Sequence, residues 1–208
     1  MQHDFILLDR SYSMKRRWGE AVSSVNSYVE KLVKDNVDTG VTLATFDFDI
    51  GKMQFDIVRD RIIPRTWRKV TEEECEPRGG TPLNDAVLQL VSLAKAGNYD
   101  KVAIIIMTDG EENQSREDRT GVLARQALDE CRGKGWQVIM LGVDFDNTRQ
   151  AQGYGNLAGS TASAVQGQIV NSMRMTAGKR ADYGTGAAAT MDFSDEEKAE
   201  LLKKPPQP

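Results

Sequence analysis

The chain has 208 residues, with 27 Lys and Arg against 31 Asp and Glu, a single His, and a formal net charge of -4. That length suits one well-buried α/β core with residues to spare, and the acidic balance argues against a general nucleic-acid or membrane-surface binder, which needs a basic face. Its two cysteines, Cys75 and Cys131, lack any CxxC or Cys/His spacing, so a disulfide framework or zinc site is not expected and reduced thiols in a cytosol fit better.

Residues 5–9 begin with the apolar run Phe5-Ile6-Leu7-Leu8, which reads as a buried strand, and Asp9-Arg10-Ser11-Tyr12-Ser13 follows at once. Residues 13–34 carry Ala21, Val22, Val25, Tyr28, Val29, Leu32 and Val33 at helical spacing. Residues 41–48 alternate into a second strand. Residues 53–58 form a third after a connection short enough for an antiparallel hairpin, and Asp47 and Asp49 read as hairpin residues. Glu72-Glu73-Glu74 reads as the solvated start of a short helical turn. Gly79-Gly80-Thr81 then precedes a helix over 82–96, with Leu83, Ala86, Val87, Leu90 and Leu93 on its buried face.

Residues 101–108 are the most hydrophobic strand, expected at the centre of the sheet, and they lead into Thr108-Asp109-Gly110. A helix over 115–132, ended by Gly133-Lys134-Gly135, and a strand over 136–143 continue the alternation that parallel crossovers require. Beyond Asp144 the pattern weakens to a short irregular helix over 148–159, an edge strand over 161–165 and a last helix over 166–179. The expected fold is therefore α/β and doubly wound: a mostly parallel central sheet with one antiparallel edge strand and helices on both faces. Residues 1–180 are expected to form the domain. Residues 181–208 change composition and read as a mobile tail, in which 195–202 could form a helical turn capped by Ser194.

Two of the three short segments begin where a buried strand should end, and in parallel α/β sheets that edge is where ligands bind. Their side chains are hydroxyls and carboxylates, hard oxygen donors that suit Mg2+, with Mn2+ as the alternative. Asp-x-Ser-x-Ser, a distant Thr and Thr-Asp-Gly, in that order, resemble the metal-ion-dependent adhesion site of the von Willebrand factor A domain family, over roughly the first 165 residues. The resemblance implies that Ser11, Ser13 and Thr81 bind the metal directly, while Asp9 and Asp109 reach it largely through water. A cation held mainly by neutral hydroxyls and water keeps its electrophilicity and an open position. The family uses such a position to accept an Asp or Glu of a partner protein, which implies binding rather than catalysis. Intracellular relatives often work with AAA+ ATPases or in multiprotein complexes. This chain itself has no GxxxxGK[ST] loop.

Other readings of the same residues stay open. Asp9, Ser11 and Thr81 could serve as helix caps, a role compatible with metal binding. Tyr12 belongs either to the ligand rim or to packing against the next loop. Lys15, Arg16 and Arg17 are expected on the opening turn of the first helix, where they either steer an acidic ligand or form a plain basic patch; Arg16 and Arg17 are the rim candidates. Glu111 and Glu112 read as solvent-exposed, and His3 as a surface residue. The rival function is a metal-dependent phosphohydrolase of haloacid-dehalogenase-like type, but Ser11 stands where that chemistry needs a second Asp. A third is a structural or assembly protein with a vestigial motif. The first motif starts close to Met1 and no apolar run reaches membrane length, so a cytoplasmic protein without a membrane span is expected.

Overall fold

A computed structural model describes residues 1–156 and 158–204 of the chain. Among these, six strands form one sheet in the order β3-β2-β1-β4-β5-β6. The strands are β1 (Gln2–Asp9), β2 (Gly40–Asp49), β3 (Lys52–Ile62), β4 (Lys101–Thr108), β5 (Gln137–Val143) and β6 (Thr161–Ala164). All neighbours pair in parallel except β2 and β3, the expected hairpin, whose third strand runs longer than its apolar core suggests. The helices are α1 (Trp18–Lys34), α2 (Leu83–Lys95), α3 (Val122–Gly133), α4 (Thr148–Gly153), α5 (Ile169–Thr185) and α6 (Asp195–Leu201). No helix among the described residues is long and apolar enough to cross a membrane.

Strand alternation splits the core in two. Along β4, Ala103, Ile105 and Met107 join the cluster under α1 and α5, while Val102, Ile104 and Ile106 join the one under α2 and α3. A strand covered on both faces must be apolar at every position, which is why β4 reads as one continuous run. Each fully buried Val, Ile or Met side chain among them stabilises the fold by about 1.5–3 kcal/mol. The strand order reverses between β1 and β4, where Leu8 pairs with Met107. Asp9 and Thr108 thus end side by side at the switch point of the sheet.

Several expectations change. The first helix does not start at residue 13: Tyr12–Arg17 wind as a 3-10 segment, opened by the Met14 N–H donating to Ser11 O at 3.0 Å, and α1 starts at Trp18. The 115–132 helix starts only at Val122. Before it, Glu112 accepts from the N–H groups of Gln114 (2.7 Å) and Ser115 (2.6 Å), and Asp85 from those of Arg116 (2.7 Å) and Asp118 (2.9 Å), which holds this stretch as a loop. Glu112 is therefore a loop clasp and not a solvated acid. His3 is buried, with Nε2 2.9 Å from Thr42 Oγ1 and its ring centroid 4.6 Å from that of Tyr99. Burial pushes its imidazole down to about 4, against the nearby Asp60 charge.

The expected boundary at residue 180 falls inside α5, and the segment read as a mobile tail packs onto the domain. Met191, Phe193 and Leu201 enter the core, and α6 carries the expected cap, with the Glu197 N–H donating to Ser194 Oγ at 3.2 Å. Leu157 and the closing Pro-rich residues, 205–208, lie outside the described residues. Arg180 of α5 is fully buried and pairs with the equally buried Asp4 of β1, whose second oxygen accepts the Tyr28 hydroxyl at 2.9 Å.

One backbone position fixes the loop that carries Thr81. Gly79 has φ +62°, and a Cβ there would lie 1.9 Å from the Phe48 carbonyl oxygen. The Tyr12 N–H donates to Gly79 O (3.0 Å) and the Gly80 N–H to Phe48 O (3.1 Å), so the loop is stitched to the ends of both β1 and β2. We predict that Gly79→Ala destabilises the domain by about 2–3 kcal/mol, from left-handed strain and backbone displacement, read as a lowered midpoint in urea. Arg180→Met leaves Asp4 buried without its counter-charge and should cost about 3–5 kcal/mol in the same assay; a loss below 1 kcal/mol would contradict the anchoring role of this pair.

Candidate functional site

The carboxyl end of β1 delivers Asp9, which is 0 % exposed. Its Oδ1 accepts the Ser11 N–H at 2.7 Å and its Oδ2 accepts the Thr108 hydroxyl at 2.7 Å, so the side chain is fixed from both neighbouring segments. The 3-10 turn then sets Ser11 Oγ 3.0 Å from Ser13 Oγ, and Ser13 Oγ donates to Asp109 Oδ1 at 2.6 Å. Ser11, Ser13 and Asp109 form one continuous chain of oxygens with Asp9 behind it. Ser11 is buried and the Asp109 side chain nearly so, while Ser13 between them is exposed, so the chain meets solvent at Ser13.

Thr81 is buried on the adjacent loop. Its N–H donates to Asn113 Oδ1 and its carbonyl accepts the Asn113 N–H, both at 3.0 Å, which ties it to the segment following Asp109. Burial pushes the Asp9 carboxyl up to about 7, against the hydrogen bonds from Thr108 and Ser11. Asp109 is likewise raised by burial, opposed by Ser13 and by the Arg17 charge. A buried carboxylate whose charge is this poorly compensated favours a cation beside it. Among the described residues no group of three or more His, Cys, Asp and Glu side chains is placed to hold a metal, so a cation here depends on the hydroxyls and on water. Ser11, Ser13, Thr81, Asp9 and Asp109 are all hard oxygen donors, a set that fits Mg2+ or Mn2+.

The rim residues separate. Tyr12 is 62 % exposed, with Lys15 Nζ 5.4 Å from its ring centroid, and Arg16 is exposed beside it. Arg17 is drawn inward: Nη2 donates to Asp144 Oδ2 at 2.8 Å, and Nη1 faces Asp109 Oδ2 at 3.4 Å. It therefore sits within the site's charge network and not on an open rim.

Three supports of the site lie outside the residues expected from the sequence. Arg10 is buried and its Nε donates to Asp47 Oδ2, which also accepts Arg78 Nε at 3.0 Å, so Asp47 is a buried anchor of the site loops and not a turn residue. Thr108 locks Asp9, and its place in Thr-Asp-Gly was a signal available in the sequence. Asp144, just past β5, holds Arg17, with no local pattern to mark it.

Solved structures share the architecture. A von Willebrand factor type A protein from Catenulispora acidiphila superposes with a TM-score of 0.60 at 13% identity, over 86% of this chain and 42% of that one, so this chain spans less than half of its length. The vWF domain of the type V pili tip protein Mfa5 from Porphyromonas gingivalis gives 0.64 at 12% identity, over 86% and 94%. Manganese-loaded TRAP protein from Plasmodium vivax gives 0.53 at 16% identity, over 81% and 70%. At such identities the likeness establishes the fold alone. Comparison with curated protein sequences gives no significant match. The model of the von Willebrand factor type A domain matches residues 5–185, most of the chain, and the protein belongs to that family.

Proposed function

We propose that this protein is a metal-dependent protein-binding module: Mg2+, with Mn2+ as the alternative, sits on the hydroxyl-rich site and accepts an Asp or Glu side chain of a partner. The observation that carries this reading is the Ser11, Ser13 and Asp109 oxygen chain, held in front of the buried Asp9 at the switch point of the sheet. Ser11, Ser13 and Thr81 would hold the ion directly and Asp9 and Asp109 through water. The ion would supply an electrophilic position for an incoming carboxylate.

The neighbours support a binding role by analogy: one is named for a pilus tip and another is manganese-loaded. Binding also suits the acids better than hydrolysis does. A phosphohydrolase needs a free carboxylate nucleophile and a neighbouring acid, whereas Asp9 is buried with both oxygens engaged and the residue two positions on is Ser11. We place the protein in a reducing compartment on the strength of Cys75 and Cys131, both buried and unpaired.

Thr81→Ala tests the site: its Mg2+ affinity by calorimetry should fall at least about tenfold while the thermal midpoint in EDTA stays near wild type. Unchanged affinity would remove Thr81 from the ligand set. Proteins retained by the immobilised domain from a cell lysate in Mg2+ should be released by EDTA; retention that survives EDTA would defeat the metal-dependent mechanism.

A further inference from the structure

Arg17 stands at the end of the 3-10 turn that carries Ser11 and Ser13, with its side chain 22 % exposed between two carboxylates. One is Asp109 of the candidate metal site, 2 % exposed, whose Oδ1 already accepts Ser13 and whose Oδ2 faces Arg17 Nη1. The other is Asp144, 34 % exposed, which takes both Nε (3.2 Å) and Nη2 (2.8 Å) on Oδ2. The guanidinium is thus held by Asp144 through two donors, one of them short at 2.8 Å, and leans on Asp109 through one long contact of 3.4 Å. The Asp144 backbone lies in the left-handed region at φ 54°, and its N–H donates to Ala164 O at 2.7 Å, which ties it to β6.

A fixed positive charge next to Asp109 competes with any divalent ion for that carboxylate and repels the ion directly. How strongly it does so depends on where its second partner holds it. Building on the metal-site reading above, we propose that Arg17 is a built-in cationic competitor for Asp109 and that Asp144 is the tether that keeps it partly withdrawn. Asp144 thereby sets the metal affinity of the site without touching the metal. Arg17 is then a regulator of the ion, and the exposed Lys15 and Arg16 are left as the cations free to meet an acidic partner.

The roles predict opposite effects. Arg17→Gln removes the competitor and should tighten Mg2+ binding by about tenfold, the scale of one screened charge beside a divalent ion. Asp144→Asn keeps a side chain that tolerates the left-handed backbone but releases the guanidinium toward Asp109, and should weaken binding by a similar factor. In the double variant Asp144 has nothing left to hold, so Arg17→Gln/Asp144→Asn should bind Mg2+ as tightly as Arg17→Gln alone.

Isothermal titration of the four proteins with MgCl2, each first melted in EDTA to confirm folding, reads all three outcomes. That pattern supports the proposal. Arg17→Gln binding no tighter than wild type overturns it while leaving the metal site intact, and strictly additive effects in the double variant overturn the tether, since Asp144 would then act on the ion by its own charge. Absence of Mg2+ binding in all four proteins overturns the metal reading and this inference with it.

Discussion

The parallel pairing of β1 with β4 is the constraint from which the site follows. With Leu8 opposite Met107, both strands end at the same level, and the Thr108 hydroxyl reaches Asp9 Oδ2 at 2.7 Å. Because the strand order reverses there, β1 runs on toward α1 and β4 runs away from it, which sets Asp9 and Asp109 at the switch point of the sheet. The hydrophobic effect holds this arrangement in place: both strands are buried on both faces, so slipping their register by one residue would exchange the side chains of the two core clusters.

Packing that tight imposes an electrostatic cost, because Asp9 sits without direct solvent contact and its carboxyl rises to about 7 as a result of burial. The fold meets that cost with neutral donors, the Ser11 N–H and the Thr108 hydroxyl. At Asp109 it adds the Arg17 charge. Elsewhere it uses full counter-charges: Arg10 and Arg78 on Asp47, and Arg180 on Asp4. The contrast separates Asp47 and Asp4, which face full counter-charges, from Asp9, whose partners are neutral.

The apolar runs of β1, β4 and β5 and the three oxygen-rich segments were legible in the sequence, since both are local patterns with a direct physical meaning. The antiparallel hairpin was equally clear from its short connection. What escaped is long-range: the partners Asp4 and Arg180 lie 176 positions apart, and Arg17 and Asp144 lie 127 apart, so no window of sequence holds both charges. His3 escaped because a lone polar residue before a strand gives no sign of the Phe5 and Tyr99 rings that enclose it. Residues 181–204 read as a tail because their apolar anchors, Met191, Phe193 and Leu201, are spaced too widely among polar neighbours to form a period, yet each is individually buried.

The most direct measurement is an X-ray structure of crystals grown in MnCl2, with anomalous difference density locating the ion. A single strong peak is expected about 2 Å from the hydroxyl oxygens of Ser11, Ser13 and Thr81, with Asp9 and Asp109 farther out behind water. A peak coordinated by Asp9 and Asp109 directly with the hydroxyls uninvolved, or no peak at this edge of the sheet, would contradict it.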